Sequence, residues 1–107
     1  MNVDSQRLTA SLEALGRIGA WKDPDSGLTG VCRLALTGAD GEGRRHVVEL
    51  MKAAGLQVTI DQIGNVFGRR KGRDDATRPV MAGSHIDSVA TAGHFDGDCE
   101  LKLWLTG

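Results

Sequence analysis

The hydrophobic pattern changes period at Gly55, and that change constrains the fold more than any other feature of the chain. Before it, Val47, Leu50, Met51 and Ala54 recur at helical spacing. After it, Leu56, Val58 and Ile60 alternate with Gln57, Thr59 and Asp61, the two-residue period of a half-buried strand. Gly55 suits the left-handed position that closes a helix. The helix is expected to begin between Thr37 and Asp40, with Thr37 as N-cap and Asp40 in the reciprocal place of a capping box. An earlier helix is expected over 5–18. Leu8, Leu12, Leu15 and Ile18 form its stripe, Asp4 its N-cap and Gly19 its stop. Trp21 to Gly30 is turn-rich and reads as a loop. Ile63-Gly64-Asn65 is a turn, from which residues 66–70 return as a partner strand. Residues 69–75 read as a solvated connection. Pro79-Val80-Met81-Ala82-Gly83 is a short apolar run, expected as a buried strand in parallel pairing. Helices and strands in this order predict an α/β layer with a partly parallel sheet. Ligands of such sheets bind beyond the carboxyl ends of the strands, which directs attention to the residues after Gly83.

Composition narrows the function classes. The 107 residues carry 13 Lys+Arg against 14 Asp+Glu, a net charge of −1, so no basic field exists to hold nucleic acid or an anionic membrane. The aromatics are Trp21, Phe67, Phe95 and Trp104, too few for a base-stacking platform. Two cysteines, Cys32 and Cys99, cannot build a multi-disulfide framework and are expected as reduced thiols. The N-terminus shows no basic region leading into an apolar stretch, and no apolar run approaches the ~20 residues that span a bilayer. A soluble, cytoplasmic chain is the expectation.

The residues that carry chemistry are Ser84-His85-Ile86-Asp87-Ser88 and Gly93-His94-Phe95-Asp96-Gly97. Imidazole nitrogen and carboxylate oxygen are ordinary ligands of Zn²⁺ and similar ions. In an extended His-x-Asp the two side chains point the same way, so Asp87 can accept the second ring N–H of His85 and fix its tautomer. Asp96 lies between glycines that let its loop fold back towards the same ion. Spacing alone is weak support, since a lone His-x-Asp is more often structural. His46 lies between the polar and apolar faces of its helix, His94 has no partner to place it, and Cys99 has no evident base.

The order of these motifs resembles the zinc-dependent hydantoinase/carbamoylase family of amidohydrolases, which takes in N-carbamoyl-L-amino-acid hydrolases, β-ureidopropionases and allantoate amidohydrolases. The resemblance runs from about Leu8 to Gly97. It rests on Gly30-Val31-Cys32-Arg33-Leu34-Ala35, on residues 51–58 and 61–69, on Gly83-Ser84-His85-Ile86-Asp87-Ser88-Val89 and on Phe95-Asp96-Gly97. It implies the N-terminal part of a dinuclear metallopeptidase-like, phosphorylase/hydrolase-type catalytic domain: two helices, a hairpin and a buried strand in an incomplete sheet. It also implies roles. His85 would bind one metal, Asp96 would bridge two, and Asp87, in the catalytic part, would orient His85. A hydroxide held between two Zn²⁺, Mn²⁺ or Co²⁺ ions would attack the ureido carbon of a small-molecule substrate. Family members are homodimers. No substrate-binding residue can be assigned.

Two departures stand beside the resemblance. Ala92 replaces a usual glycine. From Asp98 to Gly107 the family's Gly/Ala/Leu-rich helix gives way to an apolar–polar alternation suited to a short strand, the abrupt change that a frameshift or truncation produces. The chain therefore divides into residues 1–97, the amidohydrolase part, and 98–107, a divergent tail. Glu100 does not match the family's paired glutamates, and the dimerisation domain has no counterpart in these residues. The expectation is a fragment of a metal-dependent amidase, inactive by itself, with weak or single-ion binding. The alternatives are a non-catalytic metal-binding or interaction module, and the remnant of a truncated gene.

Overall fold

The computed structural model describes residues 2–74, 76–93 and 102–104, the last three by backbone alone. Helix α1 spans Ser5–Gly16. The carboxylate of Asp4 accepts the Arg7 N–H at 3.1 Å, satisfying one of the donors that a helix start leaves over. The helix ends two residues short of the expected span, and Gly19 takes the left-handed turn at φ +79°. Only the lower end of the predicted stripe reaches the core. Leu15 is buried, Leu12 and Ile18 are half-buried, and Leu8 is exposed.

The stretch expected as a loop is a hairpin. Strand β1 (Ala20–Lys22) pairs antiparallel with β2 (Thr29–Val31), in the register Trp21 opposite Gly30. Strands of three residues are too short for alternation to show, and the turn residues between them dominate the pattern. Asp23 organises that turn. Its carboxylate accepts the N–H groups of Asp25 and Ser26 at 3.3 and 3.1 Å and the Ser26 hydroxyl at 2.5 Å.

Helix α2 spans Gly38–Ala53. Thr37 caps it, its hydroxyl accepting the Asp40 N–H at 3.3 Å. The carboxylate of Asp40 reaches one residue further back than a capping box requires and accepts the Leu36 N–H at 3.0 Å. That bond holds Leu36 at φ +66°, a conformation non-glycine residues seldom adopt. Gly55 closes the helix at φ +78°, as expected. The inward face differs from the predicted stripe. Asp40 and Gly43 are buried and Val47 and Met51 half-buried, whereas Leu50 and Ala54 are exposed. The stripe turns towards Gly43 because a buried side chain from another element needs the space there.

Strands β3 (Gln57–Ile60) and β4 (Val66–Arg69) form the expected antiparallel hairpin, Gln57 opposite Arg69 and Ile60 opposite Val66. Asp61 ties the turn, accepting the N–H groups of Ile63 and Asn65 at 3.1 and 2.8 Å and the Asn65 amide at 2.8 Å. Arg44 of α2 donates to the Gly64 carbonyl and fastens the hairpin to the helix.

The apolar run at 79–83 is the main correction. Strand β5 is Met81–Gly83, all three residues exposed, and it pairs antiparallel with β6 (Lys102–Trp104). A run of apolar residues signals burial but carries no information on direction, and no parallel pair occurs among the described residues. Strand β6 falls in the tail whose alternation suggests a short strand.

The core lies where the end of α1, strand β2 and the loop after β5 meet. Among the described residues its buried apolar side chains are Leu15, Val31 and Ala92, and its buried polar ones Arg33, Asp40 and Ser88.

Candidate metal centre

His85 stands two residues beyond the end of β5, at the carboxyl end expected of a ligand site. Its Nδ1 lies 2.9 Å from Oδ1 of Asp87 and 3.0 Å from the Asp87 carbonyl oxygen. Both neighbours only accept, so Nδ1 is the nitrogen that donates, and in the neutral ring the lone pair then falls on Nε2. The side chains are 52% and 43% exposed, so solvent screens the contact. The contact thus orients the ring more than it stabilises the chain. A carboxylate-oriented imidazole of this tautomer has the donor chemistry that a divalent ion requires. The structure therefore brings His85 and Asp87 together.

The loop bearing the pair is pinned from below. Ala92 forms a β-bridge with Val31: the Val31 N–H donates to the Ala92 carbonyl at 2.9 Å, and the Ala92 N–H to the Val31 carbonyl at 3.2 Å. Four residues closer to the pair, Ser88 meets Arg33. The Ser88 N–H donates to the Arg33 carbonyl at 2.8 Å, and the Arg33 N–H to the Ser88 hydroxyl at 2.8 Å. The hydroxyl proton lies within reach of the carbonyls of Val89 at 2.9 Å and Val31 at 3.3 Å. Strand β2 so continues as a clamp along residues 88–92.

The Arg33 side chain passes under the same loop and is 1% exposed. Its Nε donates to the Ile86 carbonyl at 2.7 Å, and Nη1 donates to the carbonyls of Leu15 at 2.9 Å and Ile18 at 2.7 Å. The role of Arg33 is missed by reasoning from motifs, because its partners lie 53, 18 and 15 positions away. An arginine inside an otherwise apolar segment, Val31 to Leu36, is the signal that could have found it.

The other candidates divide. His46 lies half-buried on α2. Cys32 carries a free thiol and is half-buried. Asp96, His94, Cys99 and Glu100 lie outside the described residues, and with them the expected meeting of His85 and Asp96. Among the described residues no group of three His, Cys, Asp or Glu could hold a metal ion. No helix among them is long and apolar enough to cross a membrane.

In fold and in sequence the chain is similar, over about nine-tenths of its length, to hydantoinase/carbamoylase family amidases. Among curated proteins it is 45% identical over 97 residues to N-carbamoyl-L-amino-acid amidohydrolase of Pseudomonas sp. (strain NS671), covering 91% of this chain and 22% of that enzyme. It is 35% identical over 101 residues to allantoate amidohydrolase of Escherichia coli, covering 94% of this chain and 23% of that enzyme. Among solved structures, a hydantoinase/carbamoylase family amidase from Burkholderia multivorans matches with a TM-score of 0.80 at 50% identity, over 90% of this chain and 22% of that one. The chain thus spans little more than a fifth of the length of these three relatives. No family model matches it.

Proposed function

We propose that this chain is a segment of a metal-dependent amidohydrolase acting on C–N bonds of N-carbamoyl amino acids or related ureido compounds. The observation that carries the reading is the oriented His85–Asp87 pair, set beyond a strand end in a chain similar to enzymes of that kind. His85 through Nε2, and Asp96 through its carboxylate, are the residues that would hold divalent metal. Zn²⁺, Mn²⁺ and Co²⁺ all accept this donor set. When bound, such ions supply an activated water and polarise the scissile carbonyl. The work of this chain's own residues is to hold and orient. Asp87 keeps the proton of His85 on Nδ1, and the Arg33–Ser88 clamp supports the loop between them. The dinuclear metallopeptidase-like architecture and a ureido substrate are parts of the same proposal.

The test exchanges the aligned 97 residues of the Pseudomonas enzyme for those of this chain. The chimera is expected to hydrolyse an N-carbamoyl amino acid, and His85→Ala and Asp96→Asn to abolish turnover. A folded chimera that binds Zn²⁺ without turnover would point to a non-catalytic metal-binding module, and one that does neither would defeat both readings.

A further inference from the structure

Arg33 is the largest fully buried side chain among the described residues, and the carbonyls that its guanidinium meets define an unusual position. Two are carbonyls at and just beyond the C-terminal end of α1, where the backbone dipoles favour a cation. The third is the carbonyl of Ile86, the residue between His85 and Asp87. We propose that Arg33 is the positioning residue of the His85–Asp87 pair, its guanidinium fastening the peptide between the two side chains to the end of α1.

Three features support this assignment. The Ile86 contact holds the backbone from below, while the main chain of Arg33 holds Ser88 through two 2.8 Å hydrogen bonds. One residue thus fixes the loop on both sides of Asp87. The acceptors belong to separate segments, a helix end and a loop, and a planar fork of donors meets them where the single ammonium of a lysine cannot. Helix α2 leaves room for the stem. A Cβ at Gly43 would stand 2.8 Å from Cδ and 3.3 Å from Nε of Arg33. Gly43 therefore matters for the passage it leaves to the site, at some cost to the helix that contains it.

The inference rests on the metal reading only for why the pair matters, and its test separates the two. The full 107-residue chain is compared with Arg33→Lys and Gly43→Ala. Three measurements are made on each: the tautomer of the His85 ring from its ¹⁵N resonances with the ring neutral, amide exchange at Ser88 and Ala92, and the affinity for Zn²⁺. Exchange along α2 reports whether the rest of the chain stays folded. Both variants are expected to keep α2 protected, to lose the Nδ1–H preference of His85, and to exchange faster at Ser88 and Ala92. The affinity for Zn²⁺ should fall by about tenfold, as for other losses of ligand support. Gly43→Ala leaves Arg33 in the sequence and crowds its Cδ and Nε, so agreement of the two variants ties the effect to where the guanidinium lies. Wild-type tautomer and exchange in both variants would overturn the proposal. So would a joint loss of protection in α2 and the loop, which would make Arg33 a general core residue. If the wild-type chain shows no saturable response to Zn²⁺, the metal reading fails, while tautomer and exchange still decide the role of Arg33.

Discussion

Aspartates govern the turns of this chain one residue at a time. Asp61 accepts from the Asn65 side chain and from the backbone of Ile63 and Asn65, and Asp23 from the Ser26 hydroxyl and the backbone of Asp25 and Ser26. These bonds favour the ionised form and hold both carboxyls below their ordinary value, the side-chain bonds from Asn65 and Ser26 being the largest causes. A group whose folded pKa is lowered contributes stability that is fully present above its unfolded value and disappears as the pH falls through the folded value. The β3–β4 turn is therefore expected to loosen only on the acid side of the usual carboxylate range, measured as amide exchange at Asn65 across that range. Asp61→Asn should flatten this dependence, and an unchanged profile would show that the turn does not depend on the carboxylate. Local residues of this kind are readable from the sequence. Asp4, Thr37 and Gly55 act on neighbours within four positions, so their chemistry shows in a short window. Arg33 is not, since nothing near it in the chain tells which carbonyls it will meet.

At the scale of elements, the same division between local and distant decides what can be foreseen. Helix α2 and the β3–β4 hairpin follow from period, caps and a turn. Strand β2 does not, because it is defined as much by what it clamps as by its own three residues. Gly30 shows the closeness of that contact. A Cβ there would stand 2.5 Å from the Ala92 carbonyl oxygen, a backbone atom that cannot move aside as a flexible side chain could. Gly30→Ala is accordingly expected to cost about 1–3 kcal/mol, the range for an added group in a packed site. Urea unfolding measures the loss, and protection at Ala92 should fall before protection in α2. A neutral outcome would mean that the bridge between Val31 and Ala92 contributes nothing to stability. The direction of β5 escapes the sequence for a related reason. Its apolar composition speaks of burial, but the side on which a partner lies is set by residues far along the chain.

At the scale of the whole molecule, the buried apolar side chains among the described residues are few: Leu15, Val31 and Ala92. Its radius of gyration is 15.6 Å, against about 13 Å for a compact chain of 100 residues. Leu36, Ile63, Val80 and Val89 are between 62% and 91% exposed. Exposed apolar groups in this number favour association, so the purified chain is expected to bind a hydrophobic dye and to elute earlier from a sizing column as its concentration rises. A monodisperse monomer without dye binding would contradict this. The clamp between β2 and the site loop also has a consequence in time. Arg33 and Ser88 stand 55 positions apart. Bringing such distant segments together costs chain entropy before any contact repays it, so the pairing forms late on the way to the folded state. Ser88→Ala should then accelerate unfolding and leave the folding rate almost unchanged, which the two limbs of a denaturant-dependent relaxation experiment distinguish. A slowed folding limb would instead place the clamp in the nucleus. On this ordering the helices and the 57–69 hairpin assemble first, and the pair of His85 and Asp87 is the last feature to form and the first to be lost.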